Sequence, residues 1–139
     1  CGEKLTEPFV RNCLDQTACA LQTEFPFALM APVKNGHAHY ALYFSTNRNP
    51  PEAFRIEDTL DPLLEINVHY GHARRIGQLK KVRAIRLNRS PAEAWQRYLD
   101  RYTSLGIKIG DIKPVALDTG TDWDHWLVGS STFSSEDTP

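Results

Sequence analysis

Long apolar runs are missing from this 139-residue chain: none approaches the ~20 residues a membrane-spanning helix needs, and no basic-then-apolar leader opens it. Cysteine is scarce. Cys1, Cys13 and Cys19 form neither a CxxC pair nor an even set, which argues against a disulfide framework and against a cysteine zinc site. Charge of one sign is lacking too, because 16 Lys and Arg against 17 Asp and Glu leave a net charge of −1. No global field recommends nucleic acid or an anionic membrane as a partner. These absences read as a cytoplasmic protein. A chain that starts at Cys1 rather than Met reads as the downstream part of a larger one.

What is present is enough for a core, with 41% hydrophobic and 10% aromatic residues. The length suits one domain. Composition shifts only near the end, where SSTFSSEDTP closes the chain, so residues 1–128 read as a single domain and 129–139 as a flexible tail.

Thr6 is placed to cap a first helix with Pro8 in its first turn, and Phe9, Cys13 and Ala20 share a face with Val10, Leu14, Thr17 and Leu21 at helical spacing. Two apolar runs, FPFALMAPV and AHYALYFSTN, flank Asn35-Gly36, a dipeptide suited to the positive-φ turn of an antiparallel hairpin. Pro26 and Pro32 make the first run an edge strand or one bent near its ends, and the second is the better central one. NRNPPEAF reads as a loop. Asp61-Pro62 then reads as a cap and first residue of a second helix over 62–76, stopped by Gly77. KKVRAIRL, 80–87, predicts a third strand. Ser90-Pro91-Ala92-Glu93 is a capping box for a third helix with Trp95, Tyr98, Leu99, Tyr102 and Leu105 on its apolar face, ending at Gly106. Asp111 to Leu117 predicts a fourth strand. The reading is an α+β fold, a mixed four-stranded β-sheet packed by about three α-helices in the order α-β-β-α-β-α-β.

Three groupings could carry chemistry. His69 and His72, three apart on the second predicted helix, could share a metal, but no third ligand has convincing spacing among His37, His39 and His125, so no metal site is expected. The basic cluster of Arg74, Arg75, Lys80, Lys81, Arg83, Arg86 and Arg89 follows an acidic stretch and lacks interleaved aromatics, so a solvated helix end is favoured over an RNA surface. In Gly106-Ile107-Lys108-Ile109-Gly110-Asp111-Ile112-Lys113-Pro114, two glycines precede a lysine whose following proline biases it to extended backbone, so its ammonium can project as a point charge.

Leu64, Asn67, Tyr70, Arg74, Gly77, Gln78 and Leu79 resemble the Leu-Asn-x-x-Tyr, Arg and Gly-x-Leu of the Gretchen Hagen 3 family of auxin-responsive acyl acid amido synthetases, in its C-terminal domain and bacterial branch. Gly106, Gly110, Asp111 and Lys113 fall at that family's Gly-rich turn followed by Gln, an aromatic, Lys and a nearby Pro. Gly2-Glu3-Lys4 resembles its entry into the domain, and HAHYALYFST its Gly-His-Tyr-x-Leu-Tyr strand, so the likeness runs over about residues 2–117. It implies a mobile lid, inactive alone, on an enzyme that adenylates a carboxylic acid with ATP and Mg²⁺ and passes the acyl group to an amino acid. ATP, Mg²⁺ and both substrates would be held mainly by an N-terminal domain of the same protein. Lys113 would be the catalytic lysine and Lys4 the hinge, with Lys108 a rival for the lysine role. Tyr70, Arg74 and Asp111 would be interface or packing positions. Asp111 stands where the family has Gln, and on a strand it would share a side with Lys113 and pair with it. That departure keeps a non-catalytic interaction domain as one alternative, and an RNA-binding α+β domain is another.

Overall fold

The computed structural model describes residues 5–34 and 36–128, so Lys4, the Asn35 half of the hairpin turn and the tail from 129 lie outside the described residues. The chain runs α1 (Glu7–Ala20), β1 (Phe27–Val33), β2 (His39–Ser45), α2 (Ala53–Leu64), α3 (Val68–Arg75), β3 (Arg83–Arg86), α4 (Pro91–Ser104), a 3₁₀ turn (Ile109–Asp111) and α5 (Trp123–Leu127).

Local chemistry explains most boundaries. The Thr6 hydroxyl accepts the Phe9 amide at 3.3 Å to open α1. Ser90 and Glu93 exchange bonds of 3.2 and 2.9 Å as a full capping box on α4. Gly36, Gly77 and Gly106 take φ values of +72°, +80° and +87°, the left-handed conformation that turns the hairpin and ends α3 and α4.

The sheet is mixed, in the order β1-β2-β3. β1 and β2 are antiparallel in a register from Phe27↔Ser45 to Val33↔His39, and β2 pairs in parallel with β3 from Ala41↔Arg83 to Phe44↔Arg86. Alternation along the strands divides the core in two. Met30, Leu42, Phe44 and Ala84 face the buried sides of α1, α2 and α3, where Val10, Leu14, Ile56, Leu60, Leu64 and Tyr70 lie. Leu29, Ala31, Ala41 and Tyr43 face α4 and α5, meeting Ala94, Tyr98, Trp123 and Leu127. Helices therefore cover both faces.

Three expectations are corrected. First, the fourth strand is reduced to one parallel bridge, Met30↔Leu117, held by the Met30 amide on the Ala116 carbonyl (2.8 Å) and the Asp118 amide on the Met30 carbonyl (3.0 Å). The reason is local: Pro114 has no amide, and the Ala116 amide goes to the Glu7 carboxylate at 2.8 Å instead of to β1. Second, Asp61-Pro62 does not open a helix; both residues lie inside α2, which begins at Ala53 in the segment read as a loop. Ile56, Leu60 and Leu64, four apart, set that helix's buried face, and its partner α3 starts afresh at an Asn67 cap whose side chain accepts the Tyr70 amide at 2.9 Å. Third, WDHWL forms α5, so the described residues hold five α-helices rather than three.

Candidate functional site

Lys113 sits on a segment that is irregular in shape and fixed in place. α4 stops at Gly106, the 3₁₀ turn follows, and the chain then passes through Lys113 and Pro114 to meet the outer edge of β1 at Ala116 to Asp118. Three anchors hold it. The Tyr98 hydroxyl, from the buried face of α4, donates to the Lys113 carbonyl at 2.6 Å. Glu7, in the first turn of α1, accepts the Ala116 amide. Asp118 accepts from the Tyr102 hydroxyl at 2.5 Å, the Trp123 indole at 2.8 Å and the Gly120 amide at 2.9 Å.

Each anchoring carboxylate is held ionised. Burial pulls Glu7 upward, but the Ala116 amide and the paired Arg11 bring it below the ordinary value for Glu. Burial likewise works against Asp118, and the Tyr102, Trp123 and Gly120 donors together with Arg101 outweigh it. The Tyr102 hydroxyl, buried and donating to Asp118, is driven far above its ordinary value and stays a donor.

The Lys113 side chain is exposed, and no ion pair engages it among the described residues. The same-side pairing with Asp111 expected of a strand is not formed. Asp111 belongs to the 3₁₀ turn, where its amide donates to the Lys108 carbonyl at 2.9 Å, so strand alternation does not relate it to Lys113. Lys108 is exposed at the start of that turn, without an anchor of its own comparable to Tyr98. Beside Pro114 a groove of about 180 Å³ opens between α1 and α4, with Leu14, Phe25 and Trp95 on its apolar walls and Arg11 at its rim.

Tyr70 and Arg74 lie elsewhere, at the corner between α2 and α3. Tyr70 is 0% exposed and donates through its hydroxyl to Asp61 at 2.6 Å. Arg74 meets the other Asp61 oxygen from Nε at 3.0 Å and Nη2 at 2.9 Å, and the Val82 amide adds a bond at 3.1 Å. One buried carboxylate thus ties α2, α3 and the lead into β3. No hydrogen bond or ion pair among the described residues joins Tyr70 or Arg74 to Lys113. Other members of the basic cluster are also engaged internally: Lys81 pairs with Asp58, and Arg89 donates to the Leu127 carbonyl at 3.0 Å. His69 and His72 are both exposed on α3, and no group of three His, Cys, Asp or Glu side chains among the described residues could hold a metal ion. No helix among them is long and apolar enough to cross a membrane.

Sequence reasoning passes over Glu7, Asp61 and Asp118 as anchors, and it places Tyr98 only on an apolar face. The available signal is the pair Tyr98 and Tyr102, hydroxyls four residues apart on a helix otherwise burying carbon, which need acceptors inside the fold.

A search of curated proteins finds no match. Among solved structures, the chain is similar to a "GH3.15 acyl acid amido synthetase", with a TM-score of 0.65, 11% identity, and 87% of this chain covered. The chain spans only 23% of that protein's length. At that identity the likeness is one of fold. The family model for the GH3 family C-terminal domain matches residues 9–118, from the start of α1 to the carboxylate that clamps the lysine segment. On that match this chain belongs to the GH3 family, as its C-terminal domain.

Proposed function

We infer that residues 1–128 form the mobile C-terminal domain of an ATP-dependent acyl acid amido synthetase, with 129–139 as its tail. The observation that carries the reading is Lys113, an exposed ammonium on a backbone fastened by Tyr98, Glu7 and Asp118. Family membership and the shared fold with a solved acyl acid amido synthetase support it.

In the first half-reaction a carboxylate oxygen attacks the α-phosphorus of ATP and the bond to pyrophosphate breaks. In the second, an amino acid nitrogen attacks the acyl carbon, AMP departs and the nitrogen loses a proton. Negative charge moves onto the leaving oxygen in the first step. A cation already in position lowers that barrier, because it need not be reorganised as the charge develops. Lys113 is assigned that role, with Lys4 as the hinge that lets the domain swing and Asp111 as an interface position. Tyr70 and Arg74 are assigned to packing rather than contact with substrate.

ATP, the acid and the amino acid would be bound mainly by an N-terminal domain of the same protein. The described residues offer no metal-binding cluster, so Mg²⁺ would be held there, where it neutralises phosphate charge. This domain alone is then inactive.

Acid-dependent exchange of labelled pyrophosphate into ATP, screened over aryl and aliphatic acids with the full protein, tests the reading. Exchange with at least one acid is expected. No exchange with any acid would favour a non-catalytic interaction domain on the same fold.

A further inference from the structure

A second polar cleft lies at the other end of the sheet. It has a volume of about 330 Å³, and its polar lining is Lys34, His39, Tyr43, Arg83, Thr121 and Asp124. The register explains it. His39, Tyr43 and Arg83 stand on the face turned towards α5, because His39 and Tyr43 alternate on one side of β2 and Arg83 pairs in register with Ala41 of that same side. Thr121 and Asp124 close the cleft from the start of α5.

Tyr43 marks the cleft as more than a surface fold. It is 1% exposed, yet its hydroxyl has no hydrogen-bond partner among the described residues. Buried hydroxyls are ordinarily satisfied, so an orphan at the wall of a cavity marks a place where a ligand atom fits. Burial, with Asp124 adding to it, keeps this phenol far above its ordinary value, so it remains a donor.

The charges are equally unspent. Lys34 and Arg83 on one side and Asp124 on the other form no ion pair within 4.0 Å, with each other or elsewhere among the described residues. Opposite charges lining one cleft without touching leave room for a ligand that carries both signs. His39 donates from Nδ1 to the His37 carbonyl at 2.9 Å, which leaves Nε2 of the neutral ring as an acceptor.

We propose that this cleft binds a small zwitterion with the chemistry of a free α-amino acid, its carboxylate on Arg83, Lys34 and the Tyr43 hydroxyl and its ammonium on Asp124 and His39. The site is distinct from the lysine segment. Pro114, Val115 and Ala116 line the groove between α1 and α4, and no residue of that groove lines this cleft, which opens from Val33 and His39 to Tyr43 on the α5 side of the sheet. It is an accessory site, and it does not rest on the ligase reading.

Calorimetric titration of the full protein with L-alanine tests it, with N-acetyl-L-alanine, L-alanine methyl ester and inorganic phosphate as comparisons. Saturable L-alanine binding is expected, weakened roughly tenfold or more in Arg83→Gln and in Asp124→Asn and roughly fivefold in Tyr43→Phe. The acetylated and esterified forms, each lacking one charge, should bind the wild type no better than L-alanine binds the variants. Arg83 and Asp124 are exposed, so both variants should melt as the wild type does. Absence of saturable binding, or binding indifferent to all three substitutions, overturns the proposal. Phosphate binding that improves in Asp124→Asn would replace it with a simple anion site. An acceptor amine bound elsewhere would be untouched by these substitutions, so turnover with an amino acid could persist while this site fails.

Discussion

Asp61 concentrates more of the fold's polar chemistry than any other side chain described above. It is 3% exposed and accepts from Tyr70, Arg74 and Val82. Burial would raise its pKa, but the Tyr70 hydroxyl, Arg74 and the Val82 amide hold it below the ordinary 3.8. A depressed folded-state value means that its stabilisation is complete above the unfolded pKa and lost as pH falls through the folded one. Glu7, Asp118 and Asp122 are displaced in the same direction, so all four add to the acid limb of the stability curve. Asp61→Asn should cost about 3 kcal/mol near neutral pH, since it leaves Arg74 without its partner charge. It should also flatten the loss of stability between pH ~5 and ~2. Urea denaturation across that range checks both; an unchanged acid limb would show that Asp61 titrates normally.

The corner between α2 and α3 and the docking of the lysine segment show how far sequence reaches at the scale of elements. Gly77 and the Ser90 box are legible because each is a local signal with its own stereochemistry. The start of α2 is not, because an Asp-Pro dipeptide is a strong local cue for a helix start, and the spacing of Ile56, Leu60 and Leu64 overrides it through burial. The fourth strand fails for a similar reason: Glu7, more than a hundred residues away in sequence, takes the amide that β1 would have used. Of the site, the lysine segment can be read through its glycines and proline, whereas its anchors cannot, being contacts between distant elements. Gly71 is a further case invisible to pattern. A Cβ there would lie 2.7 Å from the Glu65 carbonyl oxygen, where the end of α2 presses on α3. Helix propensity alone predicts that Gly71→Ala stabilises by up to ~1 kcal/mol. The steric conflict should reverse the sign, giving a net loss of about 1 kcal/mol, which denaturant titration will report. A second element-scale prediction follows from Tyr98. Tyr98→Phe keeps the ring packed against Phe27 and Trp123 and removes only the bond to the Lys113 carbonyl. Stability should fall by about 1 kcal/mol. In the full protein kcat should drop roughly tenfold or more with KM for ATP unchanged, because the lysine is less well placed. Equal changes in kcat and KM would mark Tyr98 as structural only.

At the scale of the whole molecule, helices on both faces of a small mixed sheet make a rigid platform with two separate polar features, the anchored Lys113 segment and the Tyr43 cleft. The chain covers less than a quarter of the solved synthetase whose fold it shares. The central claim is that one exposed cation on this platform serves adenylation. Its most direct test is pyrophosphate exchange into ATP by the full protein, comparing Lys113→Ala with Lys108→Ala under a carboxylic acid that supports exchange in the wild type. The account predicts a fall in exchange turnover of roughly a hundred- to a thousandfold for Lys113→Ala, with KM for ATP little changed, and near-normal exchange for Lys108→Ala. Exchange that survives Lys113→Ala and collapses in Lys108→Ala would contradict the assignment and move the catalytic cation to the head of the 3₁₀ turn.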